Sequence, residues 1–310
     1  MSDQQYRLVT RSDFDGLVCA VLLKQLELIN DIKFVHPKDM QDGKVEITGR
    51  DIVTNLPYVD NAYLIFDHHL SETIRNQGKR SNHVIDPDAP SAARVVWEYY
   101  GGLATFPADW LEMMEAVDKG DAAQFSRDEV LDSTGWNLLN FLMDARTGLG
   151  RFRNFRISNY NLMMDLIDYC KNHSIHEILQ LPDVKERIDL YREHEHLFKE
   201  QIQRCAKVYR NLVVLDLTGE DVIYAGNRFI IYALFPQCNI SIHKMWGYQQ
   251  QNIVFATGKS IFDRTSNTNV GELMLQYGGG GHKAAGTCQI AVEDADQVER
   301  ELIAQINADG

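Results

Sequence analysis

The stretch Ala62-Tyr63-Leu64-Ile65-Phe66-Asp67-His68-His69 decides how this chain is read. Its first five residues form an apolar run bounded by polar positions, the pattern of a buried strand. Three side chains able to hold a metal then stand where that strand meets solvent. An aspartate and two histidines gain little from packing there, so the position points to a metal site.

Outward from this strand, the chain alternates. Tyr6 to Thr10 reads as a strand, Asp15-Gly16 breaks it, and Leu17 to Leu28 is apolar enough for a buried helix. Ile32 to Val35, part of Val45 to Val53, and His83 to Ile85 supply further strands. Ser91 is placed to cap a helix over Ala92 to Tyr100 that Gly101-Gly102 stops, and Phe106 to Val117 gives another. Such alternation predicts an α/β fold: an N-terminal, mainly parallel sheet with flanking helices and sites at the carboxyl ends of strands. From about Trp136 to Cys205 the pattern is helical, ending in a charged run from Val184 to Ile202 that reads as a long connecting helix. Beyond it, Asn211 to Leu217, Ile240 to His243 and Ile253 to Ala256 read as strands, and Val270 to Tyr277 and Val298 to Ile306 as helices. The expected organisation is a catalytic, metal-binding domain over 1–190, a linker helix over 191–205 and a smaller α/β domain over 206–310.

Composition bounds the function. At 310 residues, two domains are the default, and 45% hydrophobic with 24% charged residues is ordinary for a globular protein. No apolar stretch approaches the roughly 20 residues that span a bilayer, and the N-terminus lacks a basic region followed by an apolar one, so a cytoplasmic protein with no membrane partner is expected. The five cysteines are scattered and form no CxxC pair, which argues against both a disulfide framework and a thiolate zinc site. A net charge of -13 disfavours long nucleic acids and leaves small anionic, phosphate-containing substrates or short oligonucleotides, with bound cations offsetting the acidic charge. A homo-oligomer is left open by composition.

Hard cations such as Mn²⁺ or Mg²⁺ prefer carboxylate oxygens, and Mn²⁺ also accepts imidazole. In Ser12-Asp13-Phe14-Asp15-Gly16 the two aspartates, read as part of an extended loop, can aim at neighbouring ions. Asp51 follows Gly49-Arg50 and is placed to bridge two ions about 3.5 to 4 Å apart, an arrangement that activates water and clamps a phosphoryl oxygen. Asp118 lies in Val117-Asp118-Lys119-Gly120-Asp121. Each also has a plain reading: Asp13 and Asp15 as helix caps or turn residues, Asp118 and Asp121 as a helix end. Gly278 to Gly281, followed by His282 and a helix start at Lys283-Ala284-Ala285, reads as an anion nest or as a flexible loop.

Taken together, these segments resemble the DHH phosphoesterase superfamily: Ser12 to Gly16 its first motif, Asp51 its second, Asp67-His68-His69 its third and Asp118 its fourth. Gly278 to Gly286 resembles the glycine-rich signature of the associated C-terminal domain. The resemblance implies a two-domain, exopolyphosphatase-like hydrolase with two Mn²⁺ or Mg²⁺ ions held by Asp13, Asp15, Asp51, His68 and Asp118. It implies a catalytic Asp67 and His69, the latter beside the substrate phosphate. The C-terminal domain would close over the cleft and bind the far part of the substrate through Gly279, Gly280, Gly281 and His282, with Lys259 and Arg264 as further phosphate contacts. Pyrophosphatase, short-oligonucleotide nuclease, nucleotide phosphatase and cyclic-dinucleotide phosphodiesterase activities all remain open within it. Many members carry a histidine where this chain has Arg11. A guanidinium cannot ligate a cation, so either one ion has fewer ligands, or Arg11 turns to the substrate phosphate, or turnover is reduced. The alternative from another class is a non-catalytic phosphate or nucleotide sensor.

Overall fold

The computed structural model describes residues 5–69, 72–73 and 80–310; the first residues, on which the absence of a leader was read, lie partly outside these. Among the described residues no helix is long and apolar enough to cross a membrane. The chain divides into two compact units: residues 1–124, 133–145 and 149–188, and residues 125–132, 146–148 and 189–310.

The first unit is built on a five-stranded sheet ordered β2-β1-β3-β4-β5, from β1 (Tyr6–Arg11), β2 (Ile29–Val35), β3 (Asp51–Thr54), β4 (Leu64–Asp67) and β5 (His83–Ile85). Every pair is parallel. Val9, Val53 and Ile65 are register partners and pack with Val35, Met40, Ile47 and Leu56 on one face. The alternate residues Leu8, Ile52 and Phe66 are buried too, so both faces are covered, as a parallel sheet requires. Helices α1 (Phe14–Gln25), α2 (Ala92–Tyr99), α3 (Leu111–Asp121), α4 (Gly135–Met143) and α5 (Asn159–Asn172) belong to this unit, and α6 (Pro182–Cys205) runs across the boundary at Ile188.

Register fixes the working edge. Thr10 pairs with Thr54 and Thr54 with Phe66, so the next residues, Arg11, Asn55 and Asp67, leave the sheet side by side at its carboxyl edge. The strand order reverses between β1 and β3, where ligand sites of open α/β sheets gather. Gly16 lets α1 begin close to this edge, since a Cβ there would lie 2.0 Å from the Arg11 carbonyl oxygen. Helix α1 therefore starts at Phe14, earlier than the sequence pattern places it, and Asp15 sits inside its first turn instead of in an extended loop.

The second unit has a six-stranded mixed sheet ordered β10-β11-β9-β8-β7-β6, from β6 (Ala206–Tyr209), β7 (Leu212–Asp216), β8 (Ile240–Trp246), β9 (Ile253–Lys259), β10 (Gly280–His282) and β11 (Ala285–Ile290). Its core joins Leu212, Ile240, Ile242, Phe255 and Ile290 to Leu273 and Met274 of α7 (Val270–Leu275) and Leu302 and Ile306 of α8 (Ala295–Asp309). The expected helix start at Lys283 is a correction: His282 pairs with Ala285, and Lys283 and Ala284 form the tight turn of a hairpin. The glycines serve that hairpin. A Cβ on Gly279 would stand 2.1 Å from the Thr287 carbonyl oxygen, and one on Gly281 would stand 2.3 Å from that of Ala285.

Asp51 needs a second correction. Within the segment expected to contain a strand, β3 starts only at Asp51 and runs on to Thr54, so Asp51 lies at the amino edge, four residues or about 13 Å from Asn55. There it pairs with Arg7 at 2.7 Å and accepts the Thr48 backbone N–H at 2.7 Å, which hold its carboxyl below the usual range against the cost of its burial. Replacing Asp51 by Asn should cost about 2 kcal/mol of stability in urea unfolding, as losing one partner of a half-buried pair does, with Mn²⁺ affinity unchanged. Loss of metal binding with stability intact would restore the bridging role.

Candidate metal centre

Asp13 caps α1: it is extended, and its Oδ1 accepts the Gly16 N–H at 3.0 Å. It also meets Arg11, whose Nε lies 2.9 Å from Oδ2, and Asn55, whose Nδ2 donates to Oδ1 at 3.2 Å. Asp15 points elsewhere. Its two oxygens accept the backbone N–H groups of Ala92, at 3.0 Å, and Ala93, at 2.7 Å, at the N-terminus of α2, where unpaired N–H groups and the helix dipole favour an anion. Ser91 caps the same helix by accepting from the Arg94 N–H.

His68 and His69 follow β4 with their ring centroids 4.6 Å apart and take different partners. His68 Nδ1 lies 3.2 Å from the Ala89 carbonyl oxygen, which can only accept, so Nδ1 carries a hydrogen and Nε2 is the nitrogen turned toward the carboxylates. That Nε2 is buried and lies 3.0 Å from Asp121 Oδ2, its ion-pair partner. His69 Nδ1 is 2.7 Å from Asp67 Oδ1, while Asp67 itself is fully buried and its Oδ2 has no hydrogen-bond partner.

Asp15, His68 and Asp121 thus converge, one ligand atom from each lying within 4.8 Å of the others. Burial pushes the Asp15 carboxyl up to about 7, and the charge of Asp121 adds to it. For His68 burial opposes protonation, but Asp121 and then Asp15 outweigh it and raise the imidazole to about 9. Burial likewise works against charge on His69, and Asp67 overcomes it. The cluster brings two carboxylates and one imidazole nitrogen to a common point. Two carboxylates and an imidazole without a thiolate suit Mn²⁺ or Mg²⁺, so these residues fit the metal that the sequence led us to expect.

Not every expected ligand joins them. Asp118 accepts the Ser91 hydroxyl at 2.6 Å and the Arg94 Nε at 2.9 Å, bracing α3 against the start of α2. Asp121, one turn further on, supplies the carboxylate instead, its side chain 27% exposed at the rim. Gly120 between them permits the approach of Asn140, to whose Nδ2 a Cβ would come within 1.7 Å. Asn55 was missed altogether: it is buried, takes a positive φ of 54° that asparagine tolerates, and stands where strand register puts a site residue. In the second unit, Gly279, Gly280, Gly281 and His282 lie on or beside the edge strand β10, His282 and Arg264 are exposed, and Lys259 Nζ donates to the Ser266 carbonyl at 2.9 Å. Asp121→Asn should weaken Mn²⁺ binding at least roughly 100-fold by titration calorimetry, beyond the loss of an outer partner, whereas Asp118→Asn should stay within about 10-fold of wild type. The reverse order would put the ligand at Asp118.

No protein-family model matches the sequence, and no curated protein does. Solved structures do. A pGpG-specific phosphodiesterase, PggH from Vibrio cholerae, is 79% identical, covering 99% of this chain and 100% of that one, with a TM-score of 0.87. An exopolyphosphatase-related protein from Bacteroides fragilis shares the fold at 13% identity and a TM-score of 0.53, over 97% of this chain and 92% of that one. RecJ from Thermus thermophilus, solved with Mn²⁺, does so at 13% identity and a TM-score of 0.51, over 98% of this chain and 52% of its own. High identity along nearly the entire chain, joined to a parallel sheet that delivers Asp15, His68 and Asp121 to one edge, places this protein in the DHH phosphoesterase superfamily.

Proposed function

We propose that this chain is a metal-dependent phosphodiesterase whose substrate is a short linear guanylate dinucleotide of the pGpG type. The observation that carries the reading is the 79% identity to a pGpG-specific phosphodiesterase across both whole chains. The net charge of -13 supports it, because a substrate with few phosphates demands little of the charge neutralisation that a long nucleic acid needs.

Asp15, His68 and Asp121 would hold Mn²⁺ or Mg²⁺. Such an ion, when bound, polarises a phosphoryl oxygen and makes water a better nucleophile. His69 is the group offered to the scissile phosphate: Asp67 fixes its ring and favours its charged form, so it can donate a proton to a phosphoryl or leaving oxygen. Asp67 acts through His69 and is a positioning residue. Arg11 adds a permanent positive charge beside them.

With Mn²⁺, the protein should cleave pGpG to mononucleotide roughly 100-fold or more faster than polyphosphate or long RNA, followed by anion-exchange chromatography. Faster cleavage of polyphosphate would overturn the substrate assignment. Tight pGpG binding without cleavage would instead favour a sensor.

A further inference from the structure

We infer that this centre holds one divalent ion, and that the Arg11 guanidinium together with the Asn55 amide occupies the place of a second. The inference deepens the metal-dependent reading proposed above and rests on it. A second ion at the junction of β1 and β3 would need the Asp13 carboxylate, and that carboxylate is already committed. Its Oδ2 pairs with Arg11 Nε at 2.9 Å, and its Oδ1 accepts from Gly16 N at 3.0 Å and from Asn55 Nδ2 at 3.2 Å. Because a carboxylate only accepts, the Asn55 amide must turn its NH₂ toward Asp13, and an NH₂ group cannot ligate a cation; its buried Oδ1, which makes no hydrogen bond, is the one donor it retains. Burial of Asn55 and its backbone bond to the Phe66 carbonyl hold it there.

Arg11 has the same consequence for a different reason. A guanidinium is always charged, so an ion on the same carboxylate would face a like charge beside it. Asp15 cannot compensate, since the helix places it on a different set of partners, the N-terminus of α2 and the pair His68 and Asp121. Among the described residues, Asp15, His68 and Asp121 form the one group of three with ligand atoms in reach of a common ion. The Arg11 side chain is 37% exposed, so a phosphoryl oxygen can still reach its fork. One ion and one fixed guanidinium would then face the substrate in place of two ions.

The test is manganese stoichiometry on the full chain, measured by elemental analysis after gel filtration and by electron paramagnetic resonance. Wild type should carry one Mn²⁺ per chain with an uncoupled six-line spectrum. The variant R11H/N55D, checked for folding by thermal melting, should carry two with an exchange-coupled spectrum, and the single variant N55D should move in the same direction. Two coupled ions in the wild type would overturn the inference while leaving the metal-dependent reading intact. No bound Mn²⁺ at all would sink both. A folded R11H/N55D that still holds one ion would show that Arg11 and Asn55 are not what excludes the second.

Discussion

Two carboxylates and an imidazole nitrogen drawn together at the end of a parallel sheet repel or strand one another unless a positive charge joins them. Asp15 is buried, His68 Nε2 lies 3.0 Å from Asp121 Oδ2, and Asp121 closes the group from the rim. Leaving such a set in low dielectric is costly, and proteins keep it where it binds something. The neighbouring Asp13 and Arg11, by contrast, neutralise each other. The edge therefore carries two unlike halves, two carboxylates around one imidazole on one side and a carboxylate paired with a guanidinium on the other.

The rest of the first unit holds that contrast in place. Parallel register aligns Arg11, Asn55 and Asp67 on three adjacent strands. The N-terminus of α2 clamps Asp15 through two backbone N–H groups, while Ser91, Arg94 and Asp118 lock that helix to α3, the helix that ends in Asp121. Gly16 and Gly120 act through what they lack, since a side chain at either would push its helix off its neighbour. Stability and chemistry thus use the same backbone, which is why several acidic residues that resemble ligands in the sequence prove to be braces.

Asp67-His68-His69 could be read from the sequence because the apolar run before it marks both the strand and its end, and the residue types mark the chemistry. The α/β alternation was equally plain, since its period follows from which faces are buried. What the chain does not display is where a strand begins. Ile52-Val53 looks the same whether the strand starts before or at Asp51, and that shift moves the site residue from Asp51 to Asn55. Asp118 and Asp121 share one face of a helix at a spacing of one turn, and the choice between them lies with Arg94 and His68, both distant in sequence. The glycine run misled for a similar reason: its small size answers to the Thr287 and Ala285 carbonyls across a hairpin, a long-range constraint that flexibility arguments do not contain.

Asn55 and Arg11 both face the Asp13 carboxylate. The amide follows the carboxyl end of a central strand, and the guanidinium pairs with Asp13 on the strand beside it. The most direct measurement of the central claim is an anomalous difference map at the manganese edge from crystals grown with Mn²⁺. A single strong peak bounded by Asp15, His68 and Asp121 is the predicted result; a peak beside Asp51, or none near His68, would contradict it.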